Sequence, residues 1–256
     1  MTKKTLSFYL YFATCFMLLS SCTWMSNLIP ISVEDKLSQL IETSILSSDN
    51  TVIKNDTIDE AISQITSRLL NSLDNTVYNY QFTLIDNDDV NAFTIPGAKI
   101  FICKGLITFA DSPEEVAAVL AHEIGHAEKR HVVNKIVKEL GIGLVFSIIT
   151  GGDPGIITEI IRLIASTGFD REQEKEADEF ALHLLEKSGI HPKNMVNFFK
   201  KINELHNVNM PEIFMTHPDS DKRAEKAAAF KLSPDFKEQT FDINWESLKT
   251  QINQVK

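Results

Sequence analysis

Apolar positions along this chain change period several times, and each change marks an element. Ile58, Ile62, Ile65, Leu69 and Leu73 recur at helical spacing and predict one helix over Asp56–Leu73, with Thr57 and Glu60 as a capping box at its start. Val33–Ser47 reads as an earlier helix. Tyr80, Phe82 and Leu84 alternate with polar residues, which predicts a half-buried strand over Tyr78–Ile85. Asp86-Asn87-Asp88-Asp89 turns the chain. Ala92–Phe109 then reads as extended structure, broken at Pro96-Gly97 and near Lys104-Gly105, and a small antiparallel sheet is expected from these segments.

Helical periods dominate after Ser112. Ser112-Pro113-Glu114-Glu115 combines an N-cap, a proline at the first helical position and a capping-box glutamate, and this helix is expected to run to about Leu140. Leu140–Thr150 is apolar but too short to span a membrane. It is stopped by Gly151-Gly152-Asp153-Pro154-Gly155 and reads as a core hairpin or a mobile cover over a cleft. Glu172–Lys187 is a helix closed by Gly189, Pro192 opens another reaching about His206, and a last one runs from about Asp219 to Leu232. The final residues carry no clear signal. The fold class is α+β: a mostly helical domain with a small sheet beside the helix that begins at Ser112.

The first 22 residues stand apart. Lys3 and Lys4 precede an uncharged apolar run, Leu6–Leu19, with the length of a signal-peptide core. It ends in Leu19-Ser20-Ser21-Cys22, which resembles a bacterial lipobox with Cys22 as the lipidated residue. The expected organisation is a lipoprotein signal peptide at 1–21, Cys22 with a tether and helix at 22–49, a main folded domain at 50–232 and a tail at 233–256. Thr23 is not the aspartate that retains many lipoproteins in the inner membrane. The expected location is therefore the bacterial cell envelope, lipid-anchored to the outer membrane and facing the periplasm. Of three cysteines, only Cys103 would be left with a thiol, in an apolar run that predicts burial. The formal charge is −10, and removing Lys3 and Lys4 leaves −12. Such a surface repels phosphate backbones and excludes nucleic acid as an expected partner.

His122-Glu123-Ile124-Gly125-His126 falls inside the Ser112 helix. Residues four apart on a helix are offset by roughly 40°, so both imidazoles share a face and can hold one Zn²⁺, with Glu123 beside them as a general base. Gly125 weakens a helix and needs a reason; close approach of another segment is one. A catalytic zinc wants a third protein ligand. Glu172-Gln173-Glu174-Lys175-Glu176-Ala177-Asp178 can supply it, but spacing alone leaves Glu172, Glu174 and Glu176 open. An acidic residue one turn past the ligand, such as Asp178 after Glu174, could accept an N–H from a ligand histidine and fix its tautomer.

Four stretches resemble the M48 metallopeptidases, a family that includes bacterial envelope lipoprotein proteases. Asn91-Ala92-Phe93 with Pro96-Gly97-Ala98 and Lys104-Gly105-Leu106 is similar to the family's edge hairpin. Glu115–His131 is similar to its catalytic helix, Glu174–Asp178 to its ExxAD signature, and Met215-Thr216-His217-Pro218 with Arg223 to its downstream segment. The resemblance covers roughly residues 50–232. It implies a zincin-like fold, one Zn²⁺ per chain, Glu174 as the third ligand, and His217 and Arg223 near the metal. There His217 or Arg223 stabilises the oxyanion as a catalytic residue, or His217 binds zinc itself in a latent state. His131 recurs in the family helix without a role that could be assigned; His183, His191 and His206 read as surface or packing residues.

The expected activity is a zinc metalloendopeptidase acting on unfolded or misassembled envelope proteins. The strand containing Ala92, Phe93, Ile95 and Gly97 is expected to pair with the substrate main chain. The alternative is a zinc-containing periplasmic chaperone or assembly factor with latent proteolysis.

Overall fold

Helix starts are the features that the sequence encodes most directly, and they set the frame. The structure, a computed structural model, describes residues 26–47, 51–153, 155–166, 168–205, 213, 216, 217 and 220–255. Cys22 and the signal-like segment lie outside them. Among the described residues the order is α1 (Ile31–Ser47), α2 (Asp56–Leu70), β1 (Gln81–Ile85), β2 (Ala92–Ile95), β3 (Lys99–Cys103), α3 (Lys104–Phe109), α4 (Pro113–Glu128), α5 (His131–Leu140), α6 (Ile142–Ile149), α7 (Gly155–Ser166), α8 (Arg171–Lys187), α9 (Lys193–Leu205), α10 (Ser220–Ala228) and α11 (Trp245–Ile252). The α+β class holds. None of the helices among these residues is long and apolar enough to cross a membrane.

Ser112 caps α4 by accepting from the Glu115 amide, with Pro113 in the first turn. Asn55, not Thr57, caps α2, accepting from the amides of Thr57 and Ile58. Asp170 and Gln173 form a full capping box on α8.

The sheet order is β1-β3-β2. β2 pairs antiparallel with β3, whereas β1 pairs parallel with it, so the sheet is mixed rather than wholly antiparallel. The reason lies in the chain path: the turn and the short β2 return the chain so that β3 inserts between its predecessors. The side-chain period of two then splits the core. Ile100 and Ile102 face a cluster with α2, α4, α8 and α9. Phe101 and Cys103 face a second one with α1, α5, α6 and α7.

Three further departures from the sequence pattern arise from packing. Lys104–Phe109 is helical, because Gly105 lets it press against the Asp88 main chain; a Cβ there would lie 2.1 Å from the Asp88 oxygen. The apolar 140–166 stretch forms α6 and α7, which bury Val145, Ile148, Ile157 and Ile160 under α1. The 233–256 tail returns to the core through α11, where Trp245, Leu248 and Ile252 are buried and the Trp245 indole donates to the Ala110 carbonyl at 2.9 Å.

The expected long helix to Leu140 is broken at Lys129-Arg130. Arg130 adopts a left-handed backbone, φ 56°, and reaches Glu34 on α1 and the Ile29 carbonyl. Its Nε donates to Glu34 Oε1 at 2.7 Å, and the Tyr78 hydroxyl donates to Glu34 Oε2 at 3.1 Å. Burial raises the Glu34 carboxyl against the pull of Arg130. Removing one partner of such a pair strands the other. Glu34→Ala is therefore expected to lower stability by about 3 kcal/mol in urea denaturation; a loss below about 0.5 kcal/mol would show that α1 is held by apolar contacts alone.

Candidate metal centre

Helix α4 is buried over almost its whole length, which puts its polar residues in the interior rather than on a wet face. Helix α8 crosses it at Gly125. A Cβ at Gly125 would lie 2.9 Å from the Ala177 carbonyl oxygen and 3.1 Å from its Cα, so the absence of a side chain is what lets the two backbones meet. This approach brings ligand atoms of His122, His126, Glu174 and His217 within 4.8 Å of one another. His122 Nε2 is 2.9 Å from His126 Nε2 and 3.2 Å from His217 Nδ1. Glu174 Oε1 is 2.8 Å from His217 Nδ1 and 3.4 Å from His126 Nε2. All four side chains are buried. Imidazole nitrogens and a carboxylate oxygen converging at this range are the donor set zinc takes, so the residues present fit the ion.

Around the cluster, charged groups answer one another. Asp178 Oδ1 lies 3.0 Å from His122 Nδ1. Arg223 binds both carboxylates: its Nη2 donates to Asp178 Oδ1 at 2.7 Å and its Nη1 lies 2.8 Å from Glu174 Oε2. The Arg223 guanidinium is engaged by Asp178 and Glu174. Glu123 Oε2 is 2.9 Å from the Thr94 hydroxyl and Oε1 is 3.3 Å from His217 Nε2. His126 Nδ1 is 2.9 Å from His131 Nδ1, and His131 Nε2 is 3.0 Å from Glu176 Oε2. The Phe169 ring stacks on His126, centroids 3.9 Å apart.

The electrostatics follow from burial against charge. Burial, helped by Arg223, pushes His122 down to about 4, and burial pushes His131 to about the same value. For Glu174 and Asp178 burial acts upward, but it is outweighed: His217 and Arg223 hold Glu174, and Arg223 and His122 hold Asp178, well below the carboxylate range. Burial acts upward on Glu123 too, and His217 overrides it to leave the carboxyl below its ordinary value. His217 runs the other way: burial would lower it, but Glu174 and Glu123 raise it to about 9.

Of the three glutamates left open by spacing, Glu174 enters the cluster, Glu172 points to solvent against Lys175, and Glu176 meets His131. β2 is an edge strand in the sheet order, but its side chains are committed. Ala92, Thr94 and Ile95 are buried, Phe93 stacks on Phe101 at 5.2 Å, and the Gly97 amide donates to Glu34 on α1 at 3.4 Å. His183 and His191 rest against Phe230 and Phe236 on the outside of the fold. His206 and Cys22 lie outside the described residues. Sequence reasoning missed Thr94 and Phe169 as parts of the site, and weighed Glu176 only as a metal ligand, not as the partner of His131. Thr94 carried a signal, a hydroxyl in an otherwise apolar strand; Phe169 carried none.

Comparison with known proteins agrees. The model of Peptidase family M48 matches residues 56–231. The chain is 31% identical over 150 residues to the mitochondrial metalloendopeptidase OMA1 of Arabidopsis thaliana, covering 58% of this chain and 31% of that protein. It is 25% identical over 192 residues to the beta-barrel assembly-enhancing protease of Escherichia coli, covering 69% and 39%. It is 29% identical over 171 residues to the metalloprotease LoiP of Escherichia coli, covering 64% and 67%. The chain thus spans about a third of the length of the first curated relatives it matches.

The contact at Gly125 yields a direct test. Gly125→Ala improves helix propensity by about 1 kcal/mol but drives a methyl into the Ala177 backbone, an overpacking cost of about 1–3 kcal/mol. The expected result is lower stability of the zinc-free protein together with weaker zinc binding by competition with a chromophoric chelator. Stability and affinity both at the wild-type level would show that α4 and α8 do not depend on this contact.

Proposed function

The chain belongs to peptidase family M48, a family of zinc-dependent metallopeptidases, and on that footing we propose that it is a metalloendopeptidase whose zinc is held by His122, His126 and Glu174. The observation that carries this reading is the convergence of those three side chains with Glu123 immediately beside them. Zinc, when bound, supplies a Lewis acid that polarises the scissile carbonyl and activates water. Glu123 takes the proton of the attacking water and returns it to the leaving amine. Its lowered carboxyl and its bond from Thr94 suit it to begin as the base. His217, beside the ligand cluster with its Nε2 3.3 Å from Glu123 Oε1, is the donor for the developing oxyanion. Arg223 acts as a positioning residue, orienting Glu174 and Asp178, and Asp178 orients His122.

The substrate is an extended polypeptide whose main chain adds to the β2 edge. Beside Phe93 and Thr216 a cavity of about 310 Å³, also lined by Ser44, Cys103 and Thr158, offers room for an apolar side chain. The targets we propose are misfolded or misassembled envelope proteins. Support comes from the similarity to the beta-barrel assembly-enhancing protease and to LoiP, and from the lipobox-like Leu19–Cys22. On this reading Cys22 carries a lipid that anchors the protein to the outer membrane facing the periplasm, and polypeptide rather than nucleic acid is its partner.

A second reading, a latent protease acting chiefly as a chaperone or assembly factor, is favoured by one observation: His217 Nδ1 lies within the ligand cluster, 3.2 Å from His122 Nε2. His217→Ala separates the two. Increased cleavage supports latency, and decreased cleavage supports the oxyanion role.

Glu123→Gln is expected to keep stoichiometric zinc and to lower the rate of casein cleavage by about 10²–10⁴-fold. Removal of zinc by a chelator should abolish cleavage in the wild type, with recovery on adding zinc back. Wild-type rates in Glu123→Gln, or cleavage that survives full zinc removal, would contradict the proposal.

A further inference from the structure

His126 and His122 differ in what stands behind them. His122 has a carboxylate on its far nitrogen, Asp178 at 3.0 Å. His126 has another imidazole, His131, with the two Nδ1 atoms 2.9 Å apart. Two ring nitrogens at that distance share one hydrogen, and its owner follows from the next contact. His131 Nε2 lies 3.0 Å from Glu176 Oε2, and a carboxylate only accepts. His131 Nε2 is therefore the donor, and a neutral His131 keeps a bare Nδ1. That nitrogen accepts from His126 Nδ1–H, which leaves His126 Nε2 bare and facing His122 and Glu174.

The opposite order would place a proton on His126 Nε2 and close it to a metal. The geometry that permits the favourable order is itself specific. The left-handed turn at Arg130 ends α4 and starts α5 at His131, so that a residue only five positions past His126 folds back onto its ring. His131 is 1% exposed, while the Glu176 side chain is 40% exposed, so the chain of bonds runs from the buried site to the surface of α8.

We propose that His131, backed by Glu176, is a positioning residue of the metal centre that locks His126 in the Nδ1–H tautomer and so presents Nε2 as a ligand. This rests on the assignment of His126 as a zinc ligand. His131 does for His126 what Asp178 does for His122, with an imidazole carrying the carboxylate's influence one step further.

The test is zinc affinity by chelator competition on the full domain, with thermal denaturation of the zinc-free forms. His131→Leu keeps bulk and removes the acceptor; His131→Asn keeps an acceptor near the Nδ1 position. The expected results are a 10–100-fold loss of affinity for His131→Leu, a loss within about threefold for His131→Asn, and a smaller loss than that of His131→Leu for Glu176→Ala. Equal losses for His131→Leu and His131→Asn, or wild-type affinity in His131→Leu, would overturn the proposal while leaving the zinc site standing. A wild type that binds no zinc would overturn both. Should His131→Leu not fold, the ¹⁵N spectrum of zinc-loaded wild type decides. A protonated Nε2 and bare Nδ1 on His131 are expected, and a proton on His131 Nδ1 would overturn the assignment.

Discussion

The close contact of α4 and α8 at Gly125 is the constraint on which the rest of this structure depends. The two helices meet backbone to backbone because position 125 has no side chain. One turn of α4 on either side of that contact carries His122 and His126, and one turn of α8 carries Glu174 and Asp178. Any residue with a Cβ would separate the helices and with them the ligand pairs. The glycine that weakens α4 as an isolated helix is thus the residue that makes the centre possible.

Bringing so many ionisable groups into a dry interior is costly unless their charges answer one another. Here they do so in layers. Arg223 lies between Asp178 and Glu174, His217 between Glu174 and Glu123, and Asp178 and His131 stand behind the two α4 histidines. The left-handed turn at Arg130, pinned by Glu34 of α1, sets where His131 falls. The N-terminal helix therefore contributes to the site through its hold on Arg130.

Much of this was legible in the sequence. Ser112-Pro113 announced α4, the His-Glu-x-x-His spacing announced a shared face, and Gly125 announced a close neighbour. Resemblance to a family then singled out Glu174, where spacing had left three candidates. What was not legible depends on long-range packing. Nothing near Arg130 in the sequence forbids helix, and the break comes from Glu34, nearly a hundred residues earlier in the chain. The parallel pairing of β1 with β3 depends on chain path rather than on alternation. Lys104–Phe109 turned helical because Gly105 packs on Asp88. α11 hid in a polar tail because only Trp245, Leu248 and Ile252 face inward. His131 was visible as a residue and silent as a role, since its meaning lies in a ring nitrogen on another turn.

The central claim is that a single zinc is held by His122, His126 and Glu174. The most direct measurement is a crystal of the zinc-loaded protein with anomalous data collected on both sides of the zinc edge. The account predicts one strong peak within bonding range, about 2.0–2.2 Å, of both histidine Nε2 atoms and the Glu174 carboxylate. A peak held by other side chains, or none at this cluster in a crystal grown with zinc, would contradict it.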